Sequence, residues 1–160
     1  MTRPRLFTAA LPVLLLVGAS CGAGPSRLDG SISSRTDLTF DSVRAEWLLD
    51  QVAVRYVAVG ASLSSDAARL TVPESKALED VDLDVAADVL VEHFRYSWDD
   101  DGRLITGEPF PAVDHGTLRF SKVGKKLGER VSGSFAIVFV GGDTLNGDFD
   151  AEVVEPDPNR

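Results

Sequence analysis

The sequence predicts an all-β domain, either an antiparallel β-sandwich or a half-open barrel, with room for one short helix. Several short segments alternate apolar and polar residues, and Gly and Asp turn residues separate them. Alternation with a period of two is typical of strands that bury one face, and short strands at regular spacing are typical of sandwiches and barrels. Partial helical spacing occurs in two segments, residues 43–49 and 74–91, whose secondary structure the pattern leaves open.

The strongest predicted element is a hairpin near the C-terminus. Residues 131–140 and 144–154 alternate on either side of Gly141-Gly142-Asp143. A three-residue loop pairs Val140 with Thr144, whereas a two-residue loop turns the second strand over, because a one-residue slip exchanges its two faces. We favour the three-residue loop because it gathers the large apolar residues of both strands on one buried face: Phe135, Ile137, Phe139, Leu145 and Phe149.

Shorter strands are predicted upstream of this hairpin, at residues 38–40, 52–57, 91–98 and 116–121. Two Gly-Xaa-Phe units, at 133–135 and 147–149, are predicted to lie on the two arms of the hairpin. Four aspartates recur at even spacing and predict a solvated sheet edge: Asp80, Asp82, Asp84 and Asp88.

The composition indicates one globular domain. The chain has 160 residues, a hydrophobic fraction of 44%, 16 Lys and Arg against 25 Asp and Glu, and a net charge of −9. It is too apolar for a disordered chain and long enough to bury a core. The basic surface that neutralises phosphates is missing, which argues against a nucleic-acid partner.

The first 20 residues are predicted to be a signal peptide. Arg3 and Arg5 precede an apolar run from Leu6 to Val17, which is too short to span a bilayer. Small residues then precede the only cysteine, in Gly18-Ala19-Ser20-Cys21. This arrangement resembles the lipobox of bacterial lipoproteins, in which a peptidase cuts before a diacylglycerol-bearing cysteine. The resemblance implies that Cys21 is lipidated and begins the mature protein; the alternative is an ordinary secretory signal.

The predicted organisation has four parts: a signal peptide at 1–20, the lipidated cysteine and a flexible tether at 21–35, a β-sandwich-like domain at 36–155, and an exposed tail at 156–160. A tether of this length holds the domain at most about 45 Å from the bilayer. The lipoprotein resemblance implies export and a fatty-acyl membrane anchor. It favours the outer membrane in a source with two membranes, because Gly22 stands where some bacteria use Asp to retain lipoproteins in the inner membrane.

Residues 97–108 resemble the calcium loop of EF-hand proteins. Asp99 and Asp101 take positions three and five, and Glu108 takes position twelve, where carboxylates ligate calcium. The first position lacks the usual Asp, and Pro109 prevents a helix from following the loop. The other interpretation is a hairpin with a turn at Asp101-Gly102 and solvated acidic residues.

The remaining chemistry favours a non-catalytic role. His93 is expected to be half-exposed on a strand and His115 to lie in a turn, without the spacing of a zinc motif. If Cys21 carries lipid, the mature domain has no thiol. We therefore expect a binding or scaffolding module of the cell envelope without a cofactor, with an envelope protein as partner and the membrane reached through the lipid. The alternatives are an envelope hydrolase that uses Asp and Glu residues and a weak calcium-binding β-module.

Overall fold

The computed structural model describes residues 26–59, 64–98, 101 and 103–156. Within these ranges the chain is mainly β-structure, with one α-helical turn, α1 (Val85–Asp88), and two 3-10 turns at Ser31–Ser34 and Glu74–Lys76. The predicted all-β class with one short helix is confirmed. The strands are β1 (Arg27–Asp29), β2 (Ser42–Leu48), β3 (Gln51–Val59), β4 (Ser64–Pro73), β5 (Asp82–Asp84), β6 (Leu90–Phe94), β7 (Tyr96–Trp98), β8 (Leu104–Thr106), β9 (Val113–Val123), β10 (Arg130–Phe139) and β11 (Thr144–Val154).

One curled, mixed sheet holds nine of these strands and forms a half-open barrel. Its order is β5-β9-β10-β11-β2-β3-β4-β6, and β1 also pairs with β11. Every pair is antiparallel except β11 with β2, where residues 152–154 run parallel to residues 44–46. The strands β7 and β8 form a separate hairpin.

The two edge strands of the curled sheet, β5 and β6, are joined directly by α1. Asp84 caps this helical turn by accepting a hydrogen bond from the backbone N–H of Ala86 at 3.0 Å. Val85 is fully buried against the core. Because so short a connection links the two edges, they lie close together, and α1 covers the gap between them. The prediction from the spaced aspartates holds for two of them, since Asp82 and Asp84 are exposed on the edge strand β5 beside buried Leu83. Asp88 instead lies in α1 and pairs with Lys76 at 3.3 Å.

The half-barrel has two ends. We call the upper rim the end that carries the β10–β11 turn and the starts of β2 and β4. The lower rim carries the β2–β3 turn at Leu49-Asp50, the 3-10 turn at Glu74–Lys76 and the β9–β10 loop at 124–129. Between the rims, Tyr56 on β3 spans the core and donates its hydroxyl to the backbone carbonyl of Asp148 on β11 at 2.9 Å.

The β10–β11 hairpin has the predicted faces but a different register. Ile137 pairs with Leu145 and Val138 with Thr144, so the predicted pair of Val140 with Thr144 is wrong by two positions. The three-residue loop is Val140-Gly141-Gly142. The N–H of Phe139 donates to the carbonyl of Asp143, and the N–H of Gly142 donates to the carbonyl of Phe139. Gly141 and Gly142 have φ values of 109° and 89°, which favour glycine, and this requirement sets the loop. A two-residue offset leaves the faces unchanged, and all five predicted core residues are buried.

The two Gly-Xaa-Phe units interlock across this hairpin, as the sequence predicted for its two arms. Gly133 pairs with Phe149, and Phe135 pairs with Gly147. A Cβ on Gly133 would lie 2.7 Å from the Phe149 ring and 2.3 Å from the carbonyl oxygen of Arg119. A Cβ on Gly147 would lie 2.6 Å from the Phe135 ring. Each phenylalanine therefore covers the glycine of the opposite strand.

The ordered chain begins earlier than the sequence predicted. Residues 27–29 form β1, and Ile32 in the following 3-10 turn is 1% exposed. Residues 26–35 of the predicted tether therefore belong to the domain, and the expected boundary at residue 36 is wrong. The physical reason is that Leu28 and Ile32 pack against the core while β1 uses an edge of β11 that β2 leaves unpaired.

Other segments divide into confirmed and corrected predictions. The predicted strands at 52–57 and 116–121 lie within β3 and β9, and residues 42–48 are strand throughout. Residues 38–40 have no regular structure, although Leu38 and Phe40 contact the core. The predicted strand at 91–98 is broken at Arg95 into β6 and β7, which belong to different sheets.

A buried ion cluster joins β2, β3 and β4 on the face opposite the core residues of β3. The guanidinium of Arg55 donates from Nε and Nη2 to the carboxylate of Asp66 at 2.9–3.1 Å, and from Nη1 to Glu46 at 2.5 Å. The three side chains are only 2–7% exposed. Burial raises the pKa of Asp66, and the charge of Arg55 opposes that shift.

We expect Gly133→Ala to destabilise the protein by about 2–4 kcal/mol, because the added methyl group meets backbone as well as the Phe149 ring. Thermal or urea unfolding measures the change. Ser134→Ala is the matched control on the exposed face of the same strand and is expected to be nearly neutral. Equal stability of the two variants would contradict the interlock.

We expect Arg55→Met to cost about 3–5 kcal/mol, because it leaves two buried carboxylates without their cation. The stability of this variant should fall as pH rises, since burial that raises a folded-state acid pKa favours the neutral carboxyl of Asp66. Arg119→Met is the control: its side chain is 48% exposed and pairs with Asp80 and Asp82, so its loss should change the stability much less. Urea unfolding across pH distinguishes the two.

Candidate functional site

A polar cleft opens at the upper rim, between the segment 35–41 and the break between β6 and β7. Its volume is about 230 Å³. The lining combines an imidazole, two guanidinium groups, two carboxylates and a hydroxyl around one glycine: His93, Arg35, Arg95, Asp37, Glu108, Thr36 and Gly107. We call it the His93 cleft.

The segment 35–41 forms one wall of the His93 cleft and is held from below by apolar packing. Leu38 is 8% exposed, and the ring of Phe40 meets Tyr56 edge-on with 5.0 Å between centroids. The backbone N–H of Asp41 donates to the carbonyl of Val57 at 2.8 Å. The side chains of this segment that face away from the core are thereby fixed at the cleft.

Asp37 is the best-anchored charge of the cleft. Its carboxylate accepts hydrogen bonds from the backbone N–H of Thr39 at 2.9 Å and from the Thr39 hydroxyl at 2.7 Å, and lies 2.5 Å from Nη2 of Arg95. The Thr39 hydrogen bonds, followed by the charge of Arg95, hold the pKa of Asp37 below its usual range. This carboxylate stays ionised and acts as a fixed negative charge.

Arg95 lies between β6 and β7, where the predicted strand 91–98 is broken. This break places the side chain of Arg95 at the His93 cleft. Its Nη1 donates to the backbone carbonyl of Asp37 at 3.1 Å, so one guanidinium grips both the side chain and the backbone of that residue. The backbone carbonyl of Arg95 accepts the N–H of Gly107 at 2.7 Å. Arg95 thus ties the segment 35–41 to the chain that follows β8.

His93 forms the floor of the cleft and is 6% exposed. Its Nδ1 lies 2.9 Å from the backbone carbonyl of Ala67, and because a carbonyl only accepts, Nδ1 carries the proton. The ring packs against Phe110, with 5.1 Å between centroids. A Cβ on Gly107 would lie 3.3 Å from Nε2, so the missing side chain leaves this nitrogen accessible from the cleft as an acceptor.

The cleft therefore offers an imidazole lone pair at its floor and charges of both signs at its mouth. Arg35 and Glu108 are exposed, and Arg35 makes one long ion pair with Asp143 at 3.5 Å. Such a set binds a small polar group that donates a hydrogen bond to Nε2 and presents charge to the mouth.

The structure separates two of the predicted calcium ligands. Ser97 pairs with Ile105, and Tyr96 pairs with Thr106, so β7 and β8 form a hairpin. Asp101 lies in the connection at its tip, whereas Glu108 lies beyond its base and lines the His93 cleft. Asp99 and Cys21 lie outside the described residues. Among the residues that are described, His, Cys, Asp and Glu form no group of three or more suited to a metal ion.

Sequence reasoning missed the role of His93. It expected a half-exposed residue within the predicted strand at 91–98. In the structure Phe94 and Tyr96 are exposed, and the face of Val91 and His93 turns inward. The alternation that places His93 on the same strand face as Val91 was the sequence feature that could have predicted the burial of His93. His115 lies in β9 beside Asp114, not in a turn.

Comparisons with protein-family models, with curated proteins and with solved structures find no match to this chain. In the part of the chain that the structure describes, no helix has the length and apolar character needed to cross a membrane.

We expect Asp37→Asn to lower stability near neutral pH by about 0.5–1 kcal/mol, because its charged hydrogen bonds lie at a half-exposed site. A carboxyl whose folded-state pKa is lowered stabilises the fold above its unfolded pKa and loses that effect as pH falls through the folded value. The difference from the wild type should therefore shrink below about pH 4. Thermal unfolding from pH 7 to pH 3 tests this, with exposed Asp29→Asn as the control. A difference that stays constant over this range contradicts the assignment.

Proposed function

We propose that this chain is an exported, lipid-anchored protein of the bacterial cell envelope that acts as a non-catalytic binding module. Cys21 carries the anchor, and the His93 cleft is the binding surface. One observation carries the proposal: a nine-tenths buried imidazole presents an unshared acceptor to a cleft of mixed charge, at the rim opposite the end where the chain enters β1.

The cleft suits a ligand or partner segment that carries both charge and hydrogen-bond donors. A volume of about 230 Å³ accommodates a few polar groups, such as a side chain of an envelope protein. Arg35 attracts a carboxylate, Glu108 attracts a cation, and Nε2 of His93 accepts a hydrogen bond. An envelope protein is the proposed partner, and the protein stays in the outer membrane where the source has two.

The hydrolase alternative is weaker at this cleft. An Asp or Glu pair needs one carboxyl that holds a proton near neutral pH, but Thr39 and Arg95 lower the pKa of Asp37. The calcium alternative is weakened by the distance that the β7–β8 hairpin sets between Asp101 and Glu108. Binding is the role that the cleft can perform without a protonated second carboxyl or a bound metal ion.

The anchor is tested by feeding cells a labelled fatty acid. We expect the wild type to be labelled and Cys21→Ala to be unlabelled and unprocessed, because the thiol is the acceptor of the lipid. Ser20→Ala keeps a small residue before the cysteine and should remain labelled. Persistent label on Cys21→Ala refutes the anchor.

The cleft is tested by crosslinking in living cells from a photoreactive residue at position 108. We expect one stoichiometric adduct with an envelope protein, which is weakened at least about threefold by Arg35→Glu, since a reversed charge at an interface repels the partner. Arg27→Glu is the matched control, because Arg27 is similarly exposed but lies on β1. A probe at Ser134, on the barrel wall, should give no adduct. Equal adducts from positions 108 and 134 would remove the cleft from the proposal.

A further inference from the structure

The lower rim brings lysine side chains and exposed leucines together. All four lysines of the sequence lie there or on the strand end beside it: Lys76 in a 3-10 turn, Lys122 at the end of β9, and Lys125 and Lys126 in the β9–β10 loop. Three exposed leucines occupy the same end. Leu49 is 103% exposed, Leu127 is 61% exposed and Leu78 is 54% exposed.

Leu49 is unfavourable in two ways as a residue of a soluble turn. Its side chain is fully exposed, and its φ of 49° lies in the left-handed region that disfavours residues other than glycine, asparagine and aspartate. The other described residue of this kind, Asp80, tolerates that conformation. This φ belongs to the two-residue turn that joins Leu48 to Gln51, and a fully exposed leucine is an unusual residue for such a position.

Several contacts link the segments that carry the lysines. Lys125 lies over the ring of Trp47 at 5.4 Å and pairs with Glu74 at 2.6 Å, and Lys76 pairs with Asp88 at 3.3 Å. The carboxylate of Glu129 accepts the backbone N–H groups of Lys125 and Lys126. These contacts hold the β9–β10 loop and the 3-10 turn at the same rim.

The chain enters the domain from the lower side. β1 runs antiparallel to β11, with Arg27 opposite Asp148 and Asp29 opposite Asn146, so Ser26 lies nearer the lower rim than Asp29 does. The hydroxyl of Ser26 accepts the N–H of Asp150 at 3.0 Å. Only five peptide steps separate Ser26 from Cys21, and they span at most about 18 Å.

We propose that the lower rim rests on the lipid surface that holds the acyl chains of Cys21. This inference depends on the anchor proposed above. The leucines enter the headgroup boundary, and the lysines bind lipid phosphates while their alkyl stems lie along it. A short tether holds the domain close enough to the membrane for this contact. The longer tether expected from the sequence would have allowed the domain to move away from the lipid surface. The eleven residues of β11 span about 36 Å, so the His93 cleft faces away from the membrane.

The test uses the full-length, lipidated chain in vesicles of phosphatidylethanolamine and phosphatidylglycerol. Lipidation blocks the sulfur of Cys21, so a cysteine introduced by Leu127→Cys is the only free thiol. It receives a fluorophore, and a lipid-borne quencher reports contact. Val140→Cys is the matched control, because Val140 is also 61% exposed but lies at the upper rim. We expect at least about threefold stronger quenching at position 127.

Each result has a distinct meaning. Equal quenching at positions 127 and 140, or stronger quenching at 140, in protein that floats with the vesicles overturns the orientation and leaves the anchor intact. Protein without lipid on Cys21, shown by its mass and by failure to float, overturns the anchor and this inference with it. Leu49→Asp combined with Leu127→Cys should reduce the quenching at 127, and unchanged quenching contradicts a contact by the rim.

Discussion

The fold depends on how one edge of β11 is divided between two partners. Residues 146–148 of that edge pair with β1, and residues 152–154 pair in parallel with β2. Between them, the N–H of Asp150 is satisfied by the Ser26 hydroxyl, so the junction leaves no unpaired donor there. Among the described residues, this parallel contact is the only ladder that joins β9-β10-β11 to β2-β3-β4-β6, and it fixes which ends of the two halves form each rim.

Once the two halves are joined, the curvature of the sheet determines which side chains are buried inside the half-barrel. The interlocked glycines and phenylalanines of β10 and β11 bring the backbone close to aromatic rings, which suits a bent sheet better than a flat one. Tyr56 then reaches β11 across the interior. On the opposite face of the same strands, the Arg55 cluster satisfies its buried charges internally. Both faces of β3 are therefore buried, as few strands of a simple sandwich are.

The sequence was informative where a local pattern decides the structure. Alternation predicted the faces of β10 and β11, because a two-residue change of register preserves them. It failed where backbone geometry or distant contacts decide. The loop register followed from positive φ at Gly141 and Gly142, and β1 exists only because β11 leaves part of an edge unpaired. The His93 cleft joins residues 35–37, 93–95 and 107–108, and no local pattern connects them.

The two rims differ in how they treat polar groups, and this difference bears on function. At the upper rim, polar groups are held in place by specific partners. Arg95 forms an ion pair with Asp37, and the carbonyl of Ala67 fixes the tautomer of His93. At the lower rim, lysines that include the paired Lys76 and Lys125 lie beside exposed leucines, and the fully exposed Leu49 has a positive φ. In the two-residue β2–β3 turn, the side chain of Leu49 buries no surface and its backbone conformation is unfavourable for leucine. A surface that covers the lower rim gives this residue a use, and the same surface would leave the ordered chemistry of the upper rim open to a partner.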